Sequence, residues 1–195
     1  CRVKFLLICC LTACALGGDF METAQLLSKD FLRYSDYADK IKVREYIKSK
    51  GLESILLKHY AYFDSTEDIV KDKLPEKFVL KTNRGAAGKD ICICTDKSTF
   101  DWEKAFKKLK KAMYRDFEYE KHYNLIRPRI ICEELIETDN GKFPIDYNFT
   151  CIHGEIVDVF LCSDREVGKP SHCTVDLEWN ILPYTKDKYL PEEVP

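Results

Sequence analysis

No Cys-x-x-Cys pair and no Asp-x-Asp triplet occur in this chain of 195 residues, and no apolar run is long enough to cross a bilayer. The first absence removes the usual spacing of a zinc site. The second removes the metal-holding triplet expected of a transferase that uses nucleotide sugars. The third removes a transmembrane helix. An excess of one charge is also missing: 31 Lys and Arg stand against 33 Asp and Glu, for a formal net charge of −2. Nothing general therefore argues for nucleic acid or an anionic membrane, and any basic patch has to be local. Internal repeats and low-complexity segments are absent as well. What remains is a globular composition, 45% apolar, sufficient for one or two small domains.

Cysteine is plentiful, with 10 residues, but unevenly placed. Cys1, Cys9, Cys10 and Cys14 crowd the N-terminus, and the other six are scattered along apolar runs. Scattered in this way, they read as buried small hydrophobes. Arg2 and Lys4 followed by Phe5 to Leu16 have the charged and apolar regions of a signal peptide, and Leu11-Thr12-Ala13-Cys14 has the form of a lipoprotein cleavage site. The chain begins with Cys1 instead of Met, and Met21 opens an ordinary polar stretch. The expectation is a fragment, or a start set upstream of the true one, and a cytoplasmic protein. Export with a lipid anchor at Cys14 is the alternative.

Asp39 to Gly51 predicts a capped amphipathic helix, apolar at Val43, Tyr46 and Ile47, with a glycine just past its end. Ile55, Leu56 and Leu57 fit a short strand, and 64–73 is a charged connection. Trp102, Phe106, Leu109, Met113 and Phe117 recur at spacings of four and three, which predicts one face of a helix. Lysines 104, 107, 108, 110 and 111 form its solvated face. Asp96-Lys97-Ser98 and Asn140-Gly141 are turns. Ile130 to Ile136 is an apolar strand interrupted by Glu133 and Glu134. Tyr147, Phe149 and Cys151 alternate with polar neighbours, His153-Gly154-Glu155 turns the chain, and Ile156 to Cys162 returns. From Gly168 to Pro195 no firm element is legible. The pattern predicts an α+β fold, an antiparallel sheet with helices on one side.

Phe78 to Asp90 reads as a strand ending on Lys81, then a small-residue loop of Gly85, Ala86, Ala87 and Gly88, with Ile91 to Cys94 as the next strand. Such a loop has almost no side chain to hold a ligand away, so its N–H groups can fold over phosphate oxygens. Asn83, Arg84 and Lys89 add donors on either side. By itself the stretch fits a nucleotide-phosphate cover or an ordinary hairpin with a basic, solvated loop equally well.

Four pieces stand in order: Asp39-Lys40 opening a helix, the Lys81 strand with its loop, the strand running into Glu133-Glu134-Leu135-Ile136, and a hairpin ending in Asp164-Arg165. Together they resemble the nucleotide-binding core of the ATP-grasp superfamily. Asp39-Lys40 with Val43-Arg44-Glu45-Tyr46, Leu74-Pro75, Phe78 to Lys81, Asp96-Lys97-Ser98, Glu120 with Tyr123, Pro128 to Ile131, Asp146-Tyr147 and Asp164-Arg165 resemble its TupA-like branch, over roughly residues 30 to 185. That branch belongs to teichuronopeptide and capsular polysaccharide biosynthesis.

The resemblance implies ATP binding and a carboxylate–amine ligase. Lys40 and Lys81 resemble the lysines that touch the phosphates, and Gly85 to Gly88 the lid over them. Glu133, Glu134, Leu135 and Ile136 resemble the segment that reads the adenine, with Ile130 and Ile131 near the ring, and Arg165 a late cation near the phosphates. Two departures accompany it. Asn148 stands in Asp146-Tyr147-Asn148 where the family commonly carries a lysine. Nothing after Arg165 fits the family's acidic Mg²⁺-binding strands, whose ligands are expected beyond the end of this chain. The implied division is a signal-like or spurious stretch at 1–20, a helical segment at 21–73, a nucleotide-lid subdomain at 74–136, and an incomplete C-terminal lobe at 137–195. An acidic polysaccharide or an amino acid is the implied partner. A glycosyltransferase, a non-catalytic polysaccharide-biosynthesis protein or an inactive remnant is the alternative.

Overall fold

Alternation along Phe78-Val79-Leu80-Lys81-Thr82 places Phe78, Leu80 and Thr82 on one face of a strand, all three fully buried, and half-buries Val79 and Lys81 on the other. The structure, a computed structural model, describes residues 31–85, 90–118, 120–138, 143–163 and 170–191. Its elements are α1 (Phe31–Ala38), α2 (Lys42–Ser49), β1 (His59–Phe63), β2 (Phe78–Thr82), β3 (Cys92–Cys94), α3 (Trp102–Met113), β4 (Ile130–Glu133), β5 (Asp146–Ile152), β6 (Glu155–Ser163) and β7 (Ser171–Val175). They fall into two units, divided between Leu135 and Ile136. Each unit holds one antiparallel sheet, so the fold is mixed α+β.

In the unit that ends at Leu135 the strands are ordered β1-β4-β2-β3. Helix α3 covers one sheet face: its Ala105, Leu109 and Met113 pack with Phe78, Leu80, Cys94, Ile130 and Cys132, and Trp102 and Phe106 flank them. The helix starts where the Asp101 carboxylate accepts the Lys104 N–H at 2.9 Å, a side-chain N-cap. Lys108, expected on the solvated face, instead donates Nζ to the Ile91 carbonyl at 2.7 Å and ties the helix to the entry of β3. Phe117, expected on the helix, lies beyond its end and is buried there under the guanidiniums of Arg84 and Arg115.

The expected helix is present as α2, shorter at its start, with Ile41 at the N-cap position and no side-chain cap there. Asp39 Oδ1 accepts the Ile41 N–H at 2.8 Å, and Gly51 takes a φ of +71°, open to glycine at no steric cost, while its N–H closes on the Lys48 carbonyl. The strand expected at Ile55 to Leu57 is corrected: Glu53–Ile55 is a 3₁₀ turn, and the strand is β1, four residues later. Its pairing with β4, not its own pattern, selects those residues. Similarly, β4 ends at Glu133, because Glu134 turns its N–H to the Lys58 carbonyl at 2.9 Å.

In the other unit the order is β5-β6-β7. His153 and Gly154, with φ of 52° and 89°, make the hairpin turn between β5 and β6. Val159, Leu161, Cys173 and Val175 form a small core with Tyr147 and Leu190. Strand β7 overturns the expectation of no firm element after Gly168. Ser171-His172-Cys173-Thr174-Val175 is too polar to announce itself, and it becomes a strand by pairing with β6 from Ser163 to Val159.

Cys92, Cys94, Cys132 and Cys173 are buried, as small hydrophobes are, whereas Cys151 is exposed and Cys162 half-buried. Burial pushes the Cys132 thiol up to about 12, so it carries no thiolate at neutral pH. Among the described residues no helix is long and apolar enough to cross a membrane.

Candidate functional site

The sheet face turned away from α3 carries Lys81 and Glu133, two of the candidate residues. Strand registers put Val79 opposite Glu133 and Lys81 opposite Ile131 on that face, with His59 and Tyr62 of β1 beside them. Ile130 has its side chain in the α3-facing core, fully buried. Of the two isoleucines expected near a bound ring, Ile130 is therefore on the α3 side and Ile131, fully buried, on the Lys81 side, since neighbouring strand residues point to opposite faces.

Lys81 and Glu133 form an ion pair, their side chains 12% and 6% exposed. The resemblance assigns one to phosphate and the other to adenine; in the structure each neutralises the other. Glu134, from the same expected segment, has its Oε1 on the Lys58 N–H at 2.8 Å. Leu135 and Ile136 are half-buried and stand on either side of the division between the units.

Lys40 reaches the same region from the bend between α1 and α2. Its N–H donates to the Asn83 carbonyl at 2.9 Å, and its Nζ to the Gly85 carbonyl at 2.7 Å. Burial pushes its pKa below the ordinary lysine value; Asp90, Glu133 and Asp39 oppose that shift, and Lys81 adds to it. Lys40 and Lys81 are therefore brought into one electrostatic neighbourhood by separate elements. Gly85 has a φ of +114°, and a Cβ there would come within 3.5 Å of Asp90 Oδ2. Buried Asp90 accepts the Thr82 hydroxyl and the Thr82 N–H, the latter at 3.2 Å, so it joins the two described ends of the loop. Ala86, Ala87, Gly88 and Arg165 lie outside the described residues.

Two donors expected beside the loop are turned inward. Arg84, 7% exposed, gives Nη2 to the carbonyls of Met113 and Arg115 at 2.6 and 2.9 Å, and Nη1 to that of Tyr123 at 3.2 Å. A cation there meets the negative end of the α3 dipole. Asn83, 1% exposed, donates from Nδ2 to Asp39 Oδ1 at 3.0 Å and to the Arg127 carbonyl at 3.1 Å, and accepts the Arg129 N–H at 2.8 Å. Both N–H donors of its amide are used within the protein.

Sequence reasoning missed Asp90 and the organising role of Asn83. An acid placed directly before a buried strand, after a glycine loop, was the available signal for the first. His59 was missed too. It stacks on Tyr62 at 3.7 Å, its Nε2 is buried with no hydrogen-bond partner among the described residues, and burial pushes its pKa below the ordinary histidine value.

Among the described residues no group of three or more His, Cys, Asp and Glu is placed to hold a metal ion. The two carboxylates nearest the lysines are already engaged, Glu133 with Lys81 and Asp90 with Thr82. The described residues do not fit a Mg²⁺ site.

A solved structure, the L-amino acid ligase from Bacillus licheniformis, is similar to this chain at a TM-score of 0.47 and 16% identity, over 85% of this chain and 46% of that one. The chain thus spans about half the length of that protein. No curated protein matches the sequence. The model of the TupA-like ATP-grasp family matches residues 22–193. With every described residue inside that match, the chain belongs to the TupA-like ATP-grasp family.

Proposed function

We propose that this chain binds ATP beside Lys81 of β2 and Glu133 of β4, as part of an ATP-dependent carboxylate–amine ligase. The observation that carries this is the convergence of two half-buried lysines in one electrostatic neighbourhood, Lys40 on the Gly85 carbonyl and Lys81 on Glu133. Their present partners, a carbonyl and a carboxylate, are oxygen acceptors of the kind a phosphate would replace. Lys40 would move from Gly85 to a phosphate oxygen, and Lys81 from Glu133. Fixed cations there would offset the charge that repels an incoming carboxylate. Half-buried Val79 would supply an apolar surface for the base, and the backbone from Glu134 to Ile136 its polar edge. Ala86, Ala87 and Gly88 would complete the phosphate cover. In a reaction of this class ATP activates a carboxylate as an acyl phosphate, which an amine then attacks. Family membership favours an acidic cell-surface polymer or an amino acid as acceptor, in polysaccharide biosynthesis.

The test is thermal protection by Mg-ATP against protection by UDP-glucose. Mg-ATP is expected to raise the unfolding temperature, and Lys40→Ala to remove the effect. The double variant Lys81→Ala/Glu133→Gln, which leaves no buried charge unpaired, is expected to do the same. Protection by UDP-glucose in place of Mg-ATP, or full protection of the double variant by Mg-ATP, refutes the reading.

A further inference from the structure

Beside the lysines, at the same end of the sheet, stands a second group of cations. Thr82 pairs with Ile130, so the end of β2 lies against the start of β4. Asn83 uses that closeness: its N–H donates to the Arg129 carbonyl at 2.9 Å, and its side chain binds the Arg127 carbonyl and the Arg129 N–H. The same amide holds Asp39, next to Lys40. One fully buried side chain therefore fixes the backbone of Arg127-Pro128-Arg129 against the bend that delivers Lys40.

The guanidiniums carried by that segment share one carboxylate. Arg129 Nε donates to Asp64 Oδ1 at 2.8 Å, and Arg127 Nη2 lies 3.4 Å from Asp64 Oδ2. The Tyr62 ring supports Arg129 at 5.3 Å. Each carboxylate oxygen faces one arginine. The pair is open to water, with Arg127 79% and Asp64 52% exposed. Ion pairs this exposed contribute little to stability, so the contact by itself does not account for the buried framework behind it. Two guanidiniums carry ten N–H donors between them, and among the described residues Asp64 takes one hydrogen bond from them. Planar guanidiniums match carboxylates in geometry as well as charge.

We propose that Arg127 and Arg129 form the subsite for a carboxylate of the acceptor, and that Asp64 occupies it as an internal surrogate in the free protein. The assignment rests on the ATP reading, because it places the acceptor next to the phosphate end of the nucleotide site. It deepens that reading by naming the groups that select an anionic acceptor. Asp64, on the connection after β1, would leave the fork as the acceptor enters.

The experiment is titration of the full chain with L-glutamate, followed by the Arg129 Nε–H resonance and by calorimetry, with Mg-ATP titrated in parallel. Asp64→Asn frees the fork and is expected to tighten L-glutamate binding roughly tenfold, the scale of one charge-assisted hydrogen bond. Arg127→Ala/Arg129→Ala is expected to weaken it at least about tenfold by the same reasoning, with Mg-ATP affinity unchanged within about twofold. An L-glutamate affinity unaltered by Asp64→Asn overturns the proposal, as does the absence of any L-glutamate response in both wild type and Asp64→Asn. A loss of Mg-ATP affinity in the double arginine variant without loss of L-glutamate affinity also overturns it, because the fork would then be a phosphate contact. If Mg-ATP does not bind the wild type while the L-glutamate results hold, the carboxylate subsite stands and the nucleotide reading fails.

Discussion

Arg84 is three residues past Lys81, next to the glycine loop, yet its side chain reaches the carbonyls at the end of α3. Replacing it with alanine removes three hydrogen bonds from a buried cation to the carbonyls of Met113, Arg115 and Tyr123. Hydrogen bonds to charged groups contribute about 1.5–3 kcal/mol each. Against that stands the cost of burying the guanidinium, which lowers its pKa and is opposed only by Asp116. Recovering part of that cost leaves a net loss of about 3 kcal/mol. For a domain of this size that lowers the unfolding temperature by roughly 6–12 °C. The assay is thermal and urea unfolding followed by tryptophan fluorescence. Trp102 lies in the Arg84 unit and Trp179 in the other, so a Trp179→Phe background reports on the unit in question. Arg84→Lys is expected to recover part of the loss, since one ammonium cannot reach three carbonyls. If Arg84→Ala leaves stability within about 1 kcal/mol of wild type, below the scale of even one such hydrogen bond, the argument is refuted. If it instead weakens Mg-ATP binding at unchanged stability, Arg84 faces the phosphates.

Removing one member of the buried Lys81–Glu133 pair, as in Lys81→Met, is expected to cost about 3–5 kcal/mol, while Lys81→Met/Glu133→Leu costs less than the two single changes summed; a denaturant double-mutant cycle measures it. Lys40 has a folded-state pKa below 10.5, because burial disfavours its charge. As pH rises through that lowered value the ammonium is lost, so Mg-ATP affinity is expected to fall on the alkaline side before the ordinary lysine range; Lys40→Arg should move that limb to higher pH. The stability sign is opposite. The unfolded chain binds the extra proton between the two pKa values, so the penalty for burying charged Lys40 is full below the folded pKa and relieved above it, and urea unfolding in that window should show it. Gly85→Ala forces a side chain into a φ of +114° and toward Asp90; a loss of about 1–3 kcal/mol is expected in the same urea assay.

Much of the fold was legible because the forces that set it are local. The alternation at Phe78 to Thr82, the spacing from Trp102 to Met113, and the Gly51 end of α2 all follow from side-chain periodicity and backbone freedom within a few residues. Strands β1 and β7 were not legible in the same way. His59-Tyr60-Ala61-Tyr62-Phe63 and Ser171-His172-Cys173-Thr174-Val175 lack a one-sided apolar pattern, and a partner strand selects them. The family resemblance was also readable, since its motifs are residues in order. The partners of the candidate site residues were not. Lys81 and Glu133 are 52 positions apart by their numbers, and only the pairing of β2 with β4 makes them counter-ions. Asn83 and Arg84 are donors in a basic loop when read along the chain. Their orientation depends on Asp39, Met113, Tyr123 and Arg129, which no local pattern brings near. By itself, then, the sequence determined the strands and helices with local signatures, and the family. The tertiary structure decided which cations stay at the face for a ligand and which are spent inside the protein, because a polar side chain takes the partner that long-range folding delivers.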